Sequence, residues 1–170
     1  QGGFAEAWAQ LQLEYQARHG QQGESLARIA AKNHRNALSN PLAHVHKDLG
    51  FDFCNEVSDR NPLVADPIRR TDCSLVSDGA AALVLVAEDV ARHSAKSVRF
   101  RATAHVSDFL PMSRRDMPAF ECPAAAWQQA YVKAGVTVDD LDFAEVHDCF
   151  TIAELLHYEA MGLTAQGEGH

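Results

Sequence analysis

The chain has 170 residues, enough for one domain with a sizeable hydrophobic core. Its formal net charge of -8 argues against nucleic acid or an anionic membrane surface as the main partner, because both are negatively charged. The four cysteines are widely spaced and include no CxxC pair, which favours free thiols in a reducing compartment. No apolar stretch approaches the length of a membrane span, so we expect a cytoplasmic protein.

Two helices are predicted near the start of the sequence. The first is indicated by apolar residues at helical spacing and by a glycine after a basic last turn: Phe4, Trp8, Leu11, Tyr15 and Gly20. The second is expected to begin near Glu24 and to end before the Ser-Asn-Pro sequence at residues 39–41. Residues 41–70 are rich in Asn, Asp and Pro without a clear period, which indicates an irregular, surface-facing connection.

The remaining sequence alternates strand and helix patterns. Residues 78–88 (DGAAALVLVAE) form a continuous small apolar run, as expected of a strand buried on both faces. Residues 98–106 (VRFRATAHV) alternate apolar and polar side chains, as in a half-buried strand. A helix is expected to open at Pro123 and to end at Gly135. This order predicts an α/β fold, with a mostly helical insertion before it.

The sequence EVHDCF, residues 145–150, lies between a predicted short strand (residues 142–146) and a predicted last helix. In open α/β sheets, ligands collect at the carboxyl ends of strands, and a helix N-terminus can lower the pKa of a thiol. His147 and Cys149 point to the same side of an extended segment, whereas Asp148 points away and is predicted to cap the helix. The pattern predicts a functional site at His147 and Cys149.

Three segments in this order resemble the sterol-carrier-protein type of thiolase. Residues 31–41 (AKNHRNALSNP) are similar to its loop domain, and residues 71–86 (TDCSLVSDGAAALVLV) resemble the strand that closes the N-terminal half of the thiolase fold. Residues 144–169 resemble its catalytic-loop segment, in which HDCF replaces the NEAF sequence of other thiolases. The resemblance implies part of a layered α/β/α/β/α thiolase fold with a mostly helical loop-domain insertion.

The same resemblance implies a division of the chain. Residues 1–70 would be the loop-domain segment, residues 71–96 the last strand region of the N-terminal half, and residues 97–170 the start of the C-terminal half. A complete thiolase is much longer, and its nucleophilic cysteine lies upstream of the part that this chain resembles. We therefore expect this segment to be inactive by itself.

This resemblance implies that the protein would be an acyl-CoA C-acyltransferase, which would cleave 3-oxoacyl-CoA with coenzyme A or run the reverse Claisen condensation. Cys149 would move protons, His147 would help to stabilise an oxyanion or enolate, and Ser74 would contact the pantetheine arm of coenzyme A. The partners would be acyl-CoA and coenzyme A, without a further cofactor, and the assembly a homodimer or homotetramer. A thiolase-like steroid side-chain aldolase subunit and a non-catalytic acyl-CoA or lipid-binding module are the alternative functions.

Each of these side chains also has a purely structural interpretation. Cys149 could be an inert buried thiol, His147 a surface or core histidine, and Ser74 an ordinary loop hydroxyl. A similar choice, between a phosphate-binding rim and a solvated helix face, applies to the polar residues Lys32, His34 and Arg35.

The histidines also raise the question of a metal site. His44 and His46 could share one side of a strand and be joined by His157 or His170. The one acidic residue at a helical spacing from either histidine is Asp48, four residues after His44, and the cysteines are far apart, so no metal site is predicted.

Overall fold

The computed structural model describes residues 3–169. The α-helices in this part of the chain are α1 (Phe4–His19), α2 (Gly23–Ala37), α3 (Gly50–Asn55), α4 (Glu88–Ala91), α5 (Glu121–Ala134) and α6 (Thr151–Ala160). Strands β1 (Leu63–Ala65) and β2 (Ile68–Arg69) form an antiparallel hairpin. None of the helices between residues 3 and 169 has the length and apolarity to cross a bilayer.

The main hydrophobic core lies where α1, α2, β2 and α6 meet. The completely buried side chains there are Tyr15, Leu26, Ile68, Leu155 and Leu156. Burying one Leu or Ile side chain contributes about 1.5–3 kcal/mol, so this contact holds α6 firmly against the N-terminal helices. Phe150, immediately before α6, adds a stacked contact with Trp8, with ring centroids 5.4 Å apart.

The predicted helices are confirmed, with small shifts at their ends. Gly20, with φ of 86°, follows α1 and donates its N–H to the carbonyl of Gln16 at 2.9 Å. This left-handed region of φ favours glycine, which is why Gly20 marks the helix end in the sequence. Helix α5 begins at Glu121, two residues before the predicted Pro123, and the last helix begins at Thr151.

The prediction that residues 41–70 are irregular throughout is wrong. This stretch contains α3 and the β1–β2 hairpin. Asn61 is completely buried, and its side-chain amide donates to the carbonyl oxygens of Phe53 and Glu56, each at 3.0 Å. The amide of this one asparagine therefore ties the end of α3 to the start of the hairpin, which composition alone does not reveal.

The three segments predicted as strands, residues 78–88, 98–106 and 142–146, pair with no strand within residues 3–169. Leu83 and Val84 are 87% and 88% exposed, so the predicted burial of residues 78–88 on both faces is not found. An apolar run predicts what a strand would bury, but not which segment it pairs with.

Candidate functional site

The HDCF segment, residues 147–150, lies between residues 73–74 and the start of α6. The backbone N–H of Ser74 donates to the carbonyl of Cys149 at 3.0 Å, and Cys73 forms an antiparallel bridge with Phe150. The structure therefore brings Ser74 next to Cys149, although the two residues are far apart in the sequence.

A buried ion pair fixes the start of α6. Asp72 accepts a hydrogen bond from the Nε of Arg69 at 2.8 Å, and the two side chains are only 1% and 6% exposed. The other oxygen of the Asp72 carboxylate accepts a hydrogen bond from the Oγ1 of Thr151 at 2.9 Å. Because Thr151 is the first residue of α6, this contact anchors the helix that follows the HDCF segment.

Cys149 is a buried thiol, and its surroundings act on it in opposite directions. Loss of solvent raises the pKa of Cys149, and the neighbouring charge of Asp148 adds to this rise. The backbone N–H groups of Phe150 and Cys149 partly offset it, as expected at a helix N-terminus. Burial dominates, so the thiol holds its proton near neutral pH.

His147 and Asp148 are both exposed, so neither belongs to the core. The prediction that Asp148 caps α6 is wrong, because no side-chain hydrogen bond caps this helix and Phe150 occupies the N-cap position. Asp148 instead accepts a hydrogen bond from the side-chain amide of Asn33 on α2, at 3.3 Å. The HDCF segment is thus attached to the helical insertion as well as to residues 73–74.

A cleft of about 200 Å³ opens between α2 and residues 71–75. Its polar lining residues include Ser74, Asn33, His34, Asp148 and Thr151. Burial lowers the pKa of His34, although the charge of Asp48 opposes this. The cleft brings Ser74 together with one residue of the HDCF segment, but neither Cys149 nor His147 lines it.

Two of the three residues considered for a phosphate rim are engaged in ion pairs. Lys32 pairs with Glu154 at 2.5 Å, and Arg35 pairs with Asp48 at 3.4 Å on the exposed side of α2. His34 alone of the three lines the cleft.

Glu154 is a site residue that the sequence analysis missed. It lies in α6, is 3% exposed, and accepts hydrogen bonds from Lys32 and Asn33 of α2 and from Tyr158 of its own helix. A charged residue inside the apolar run IAELL is unusual, and that signal could have identified it.

The histidines considered for a metal site have other partners or lie elsewhere. The Nδ1 of His44 lies 3.0 Å from the Oγ of Ser77, and the Nε2 of His46 lies 2.5 Å from the carbonyl of Asn40. His170 lies outside the described residues. Across residues 3–169, no group of three or more His, Cys, Asp or Glu side chains could hold a metal ion.

His157, on α6, has a buried Nδ1 without a hydrogen-bond partner in the described part of the chain, and its ring meets the edge of Phe120. Burial lowers the pKa of His157, and the nearby His147 lowers it further. The carboxylates of Glu154 and Asp148 oppose this shift without reversing it. The folded protein therefore favours the neutral form of His157.

This shift predicts a loss of stability in mild acid. An unfolded histidine has a pKa of about 6.5, so the contribution of His157 is present above that pH and is lost as pH falls towards the folded pKa. Urea unfolding should be measured between about pH 7.5 and about pH 5. The free energy of unfolding should fall less steeply with falling pH for His157→Leu than for the wild type. The control is His93→Leu, at an exposed position. A free energy of unfolding that depends on pH equally in His157→Leu and in the wild type would contradict the prediction.

Comparison with known families adds a finding independent of this geometry. Residues 104–170 match the family model described as thiolase C-terminal domain-like. The chain is 34% identical over 168 residues to an acetyl-CoA acetyltransferase of Methanothermobacter thermautotrophicus, an alignment that covers 98% of this chain and 43% of the relative. It is also 34% identical to sterol carrier protein 2 of Oryctolagus cuniculus, covering 92% of this chain and 29% of the relative.

Another relative is the benzoylsuccinyl-CoA thiolase subunit BbsB of Thauera aromatica, 32% identical over 95% of this chain and 42% of the relative. The chain therefore spans less than half the length of these relatives. Among solved structures, the Ltp2-ChsH2(DUF35) aldolase matches with a TM-score of 0.83 and 23% identity, covering 97% of this chain and 44% of that chain. This likeness confirms the predicted fold class, part of an α/β fold of the thiolase type.

Proposed function

Because the chain belongs to the thiolase superfamily, we propose that it is part of an acyl-CoA C-acyltransferase. The reaction would be cleavage of 3-oxoacyl-CoA by coenzyme A, or the reverse Claisen condensation. The observation that carries this proposal is the 3.0 Å hydrogen bond from the N–H of Ser74 to the carbonyl of Cys149. It joins the proposed coenzyme A contact to the proposed proton donor, which the reaction needs side by side.

In the cleavage direction, the thiolate of a nucleophilic cysteine from another segment would attack the β carbonyl and form the acyl-enzyme. The bond between the α and β carbons would break, and its electron pair would move onto the enolate of the leaving acyl-CoA. Cys149 would then give its thiol proton to the α carbon of that enolate. The resulting thiolate would take the proton of the incoming coenzyme A thiol, which restores Cys149 for the next cycle. The burial that raises the pKa of Cys149 favours the proton-donating form, and the helix N–H groups stabilise the thiolate between the two steps.

His147 and Ser74 would have binding roles in this scheme. The exposed imidazole of His147 would donate a hydrogen bond to the developing oxyanion or enolate. The exposed Ser74, which lines the cleft between α2 and residues 71–75, would contact the pantetheine arm. The acyl group would be carried by a nucleophilic cysteine from another segment of the full-length protein, in a cytoplasmic homodimer or homotetramer without a further cofactor.

The test is a thiolysis assay of the full-length protein with 3-oxoacyl-CoA and coenzyme A, with products separated by chromatography. We expect coenzyme A-dependent formation of a shortened acyl-CoA. Replacing His147 by alanine should lower kcat by about 10²-fold, because one oxyanion donor is lost. His93→Ala, at an exposed position outside the site, is the matched control and should leave kcat unchanged.

Two results would overturn the proposal and favour the alternatives. The protein could bind coenzyme A in isothermal titration and yet show no thiolysis activity. That result would indicate a non-catalytic acyl-CoA or lipid-binding module. Cleavage of a β-hydroxyacyl-CoA without any requirement for coenzyme A would instead indicate an aldolase. Normal thiolysis by the His147→Ala variant would remove only the oxyanion role from His147.

A further inference from the structure

We propose that Asn33, on α2, is a positioning residue that holds the HDCF segment in place from the helical insertion. Its effect on turnover rests on the proposed function, whereas its effect on the segment itself does not. Five side chains take part, and together they form the α2–α6 polar cluster: Lys32, Asn33, Asp148, Glu154 and Tyr158.

The side-chain amide of Asn33 donates to two carboxylates on either side of the start of α6. Its Nδ2 lies 2.6 Å from the Oε2 of Glu154, inside the helix, and 3.3 Å from the Oδ2 of Asp148, in the loop before it. An amide NH₂ group has two hydrogens, so these two bonds use its full donor capacity. One side chain of α2 therefore connects the loop and the helix that flank Cys149.

The Glu154 end of this connection is rigid. Its carboxylate is 4% exposed and also accepts hydrogen bonds from the Nζ of Lys32, at 2.5 Å, and from the hydroxyl of Tyr158. A buried carboxylate is stable only when its oxygens are paired, so these partners fix its orientation. The Asp148 end is exposed and has a longer contact, so it is the end that depends on Asn33.

Asp148 stands directly between His147 and Cys149, so a tether on its side chain restrains the backbone of both neighbours. Without Asn33, Asp148 has no hydrogen-bond partner on α2 among the described residues, and Glu154 keeps Lys32 and Tyr158. The loss would therefore loosen the loop more than the helix. Cys149 would be exposed by local opening, whereas thiols elsewhere in the core would stay protected.

Alkylation of individual thiols by iodoacetamide, followed by peptide mass spectrometry, tests this inference in the full-length protein without relying on activity. Asn33→Ala should raise the labelling rate of Cys149 by about tenfold, as expected for loss of one partly buried and one exposed hydrogen bond. Labelling of the completely buried Cys54 should not change. Asn36→Ala, at an exposed position on the same helix, is the matched control and should label like the wild type.

An exchange of donor and acceptor gives a second test. Asn33→Asp places a third carboxylate beside Asp148 and Glu154, and should increase Cys149 labelling at least as much as alanine does. Adding Asp148→Asn supplies an amide donor from the loop and should restore part of the protection. In the thiolysis assay, Asn33→Ala should lower kcat by about tenfold and leave KM for coenzyme A within twofold.

The outcomes separate the two proposals. Increased labelling of Cys149 alone, in a protein that shows no thiolysis, would support the positioning role and overturn the proposed function. An equal rise at Cys54 and Cys149 would show general destabilisation and overturn the positioning role. Unchanged labelling in Asn33→Ala would overturn it as well.

Discussion

Replacing Cys149 by alanine in the full-length protein is expected to lower kcat for thiolysis by about 10²–10⁴-fold, the usual contribution of a positioned acid or base. The substitution removes the group that, in the proposed function, would exchange a proton with the substrate in the transition state. Affinity for coenzyme A should remain nearly unchanged, because the proposed contact with the pantetheine arm is made by Ser74. Steady-state kinetics and isothermal titration with coenzyme A measure the two quantities separately.

Two further variants define what the thiol of Cys149 supplies. Cys149→Ser should be almost as slow as the alanine variant. A serine hydroxyl hardly ionises near neutral pH, so it can neither give up its proton readily nor act as a base. The buried thiol Cys54 packs against α2 in another part of the core, so Cys54→Ser is the matched control. Near-normal turnover by Cys149→Ala would show that the thiol only fills space between α6 and its neighbours.

The second large effect concerns stability, at Asp72. Replacing Asp72 by alanine leaves the guanidinium of Arg69 buried without its countercharge, and breaking such a buried pair costs about 3–5 kcal/mol. It also removes the acceptor of Thr151 at the start of α6. Urea unfolding of the variant should therefore show a free energy of unfolding lowered by about this amount, a large share of a typical total.

A double variant keeps this prediction testable if the alanine variant folds poorly. Arg69→Met combined with Asp72→Ala should be less destabilised than Asp72→Ala alone, because no unpaired charge remains. Arg35→Ala, which removes a 71% exposed partner of Asp48, is the surface control and should change the free energy by less than about 1 kcal/mol. If Asp72→Ala lowered the free energy of unfolding by no more than Arg35→Ala does, this would show that water screens the Arg69–Asp72 pair.

The helices could be predicted because their signals are local. The spacing of Trp8, Leu11 and Tyr15 defines the buried face of α1, and Gly20 marks its end. Strand pairing in residues 78–88 and 98–106 depends on distant segments, which the alternation of side chains does not identify. Asn61 was missed for a similar reason, because its three carbonyl partners belong to the tertiary fold.

The sequence pointed to single residues of the candidate site but not to their contacts. The structure places Ser74 next to Cys149, and the roles of Ser74, His147 and Cys149 stay predictions. The partner of Asp148 was predicted incorrectly, since a cap requires only neighbouring backbone, whereas the observed hydrogen bond comes from Asn33 on another helix. The sequence identifies residues with unusual chemistry. Which of them contact each other across two elements can be seen only in the folded structure.

The contact between Thr151 and Asp72 matters for anyone who recombines this sequence with a relative. A crossover at any point between residues 73 and 150 takes the carboxylate from one parent and the hydroxyl from the other. The same crossover separates Arg69 and Asp72 from the helix that they anchor, and a crossover between residues 74 and 149 separates Ser74 from Cys149 as well. Chimeras of this family should therefore inherit residues 69–74 and 149–151 from a single parent, as one block that the linear sequence divides.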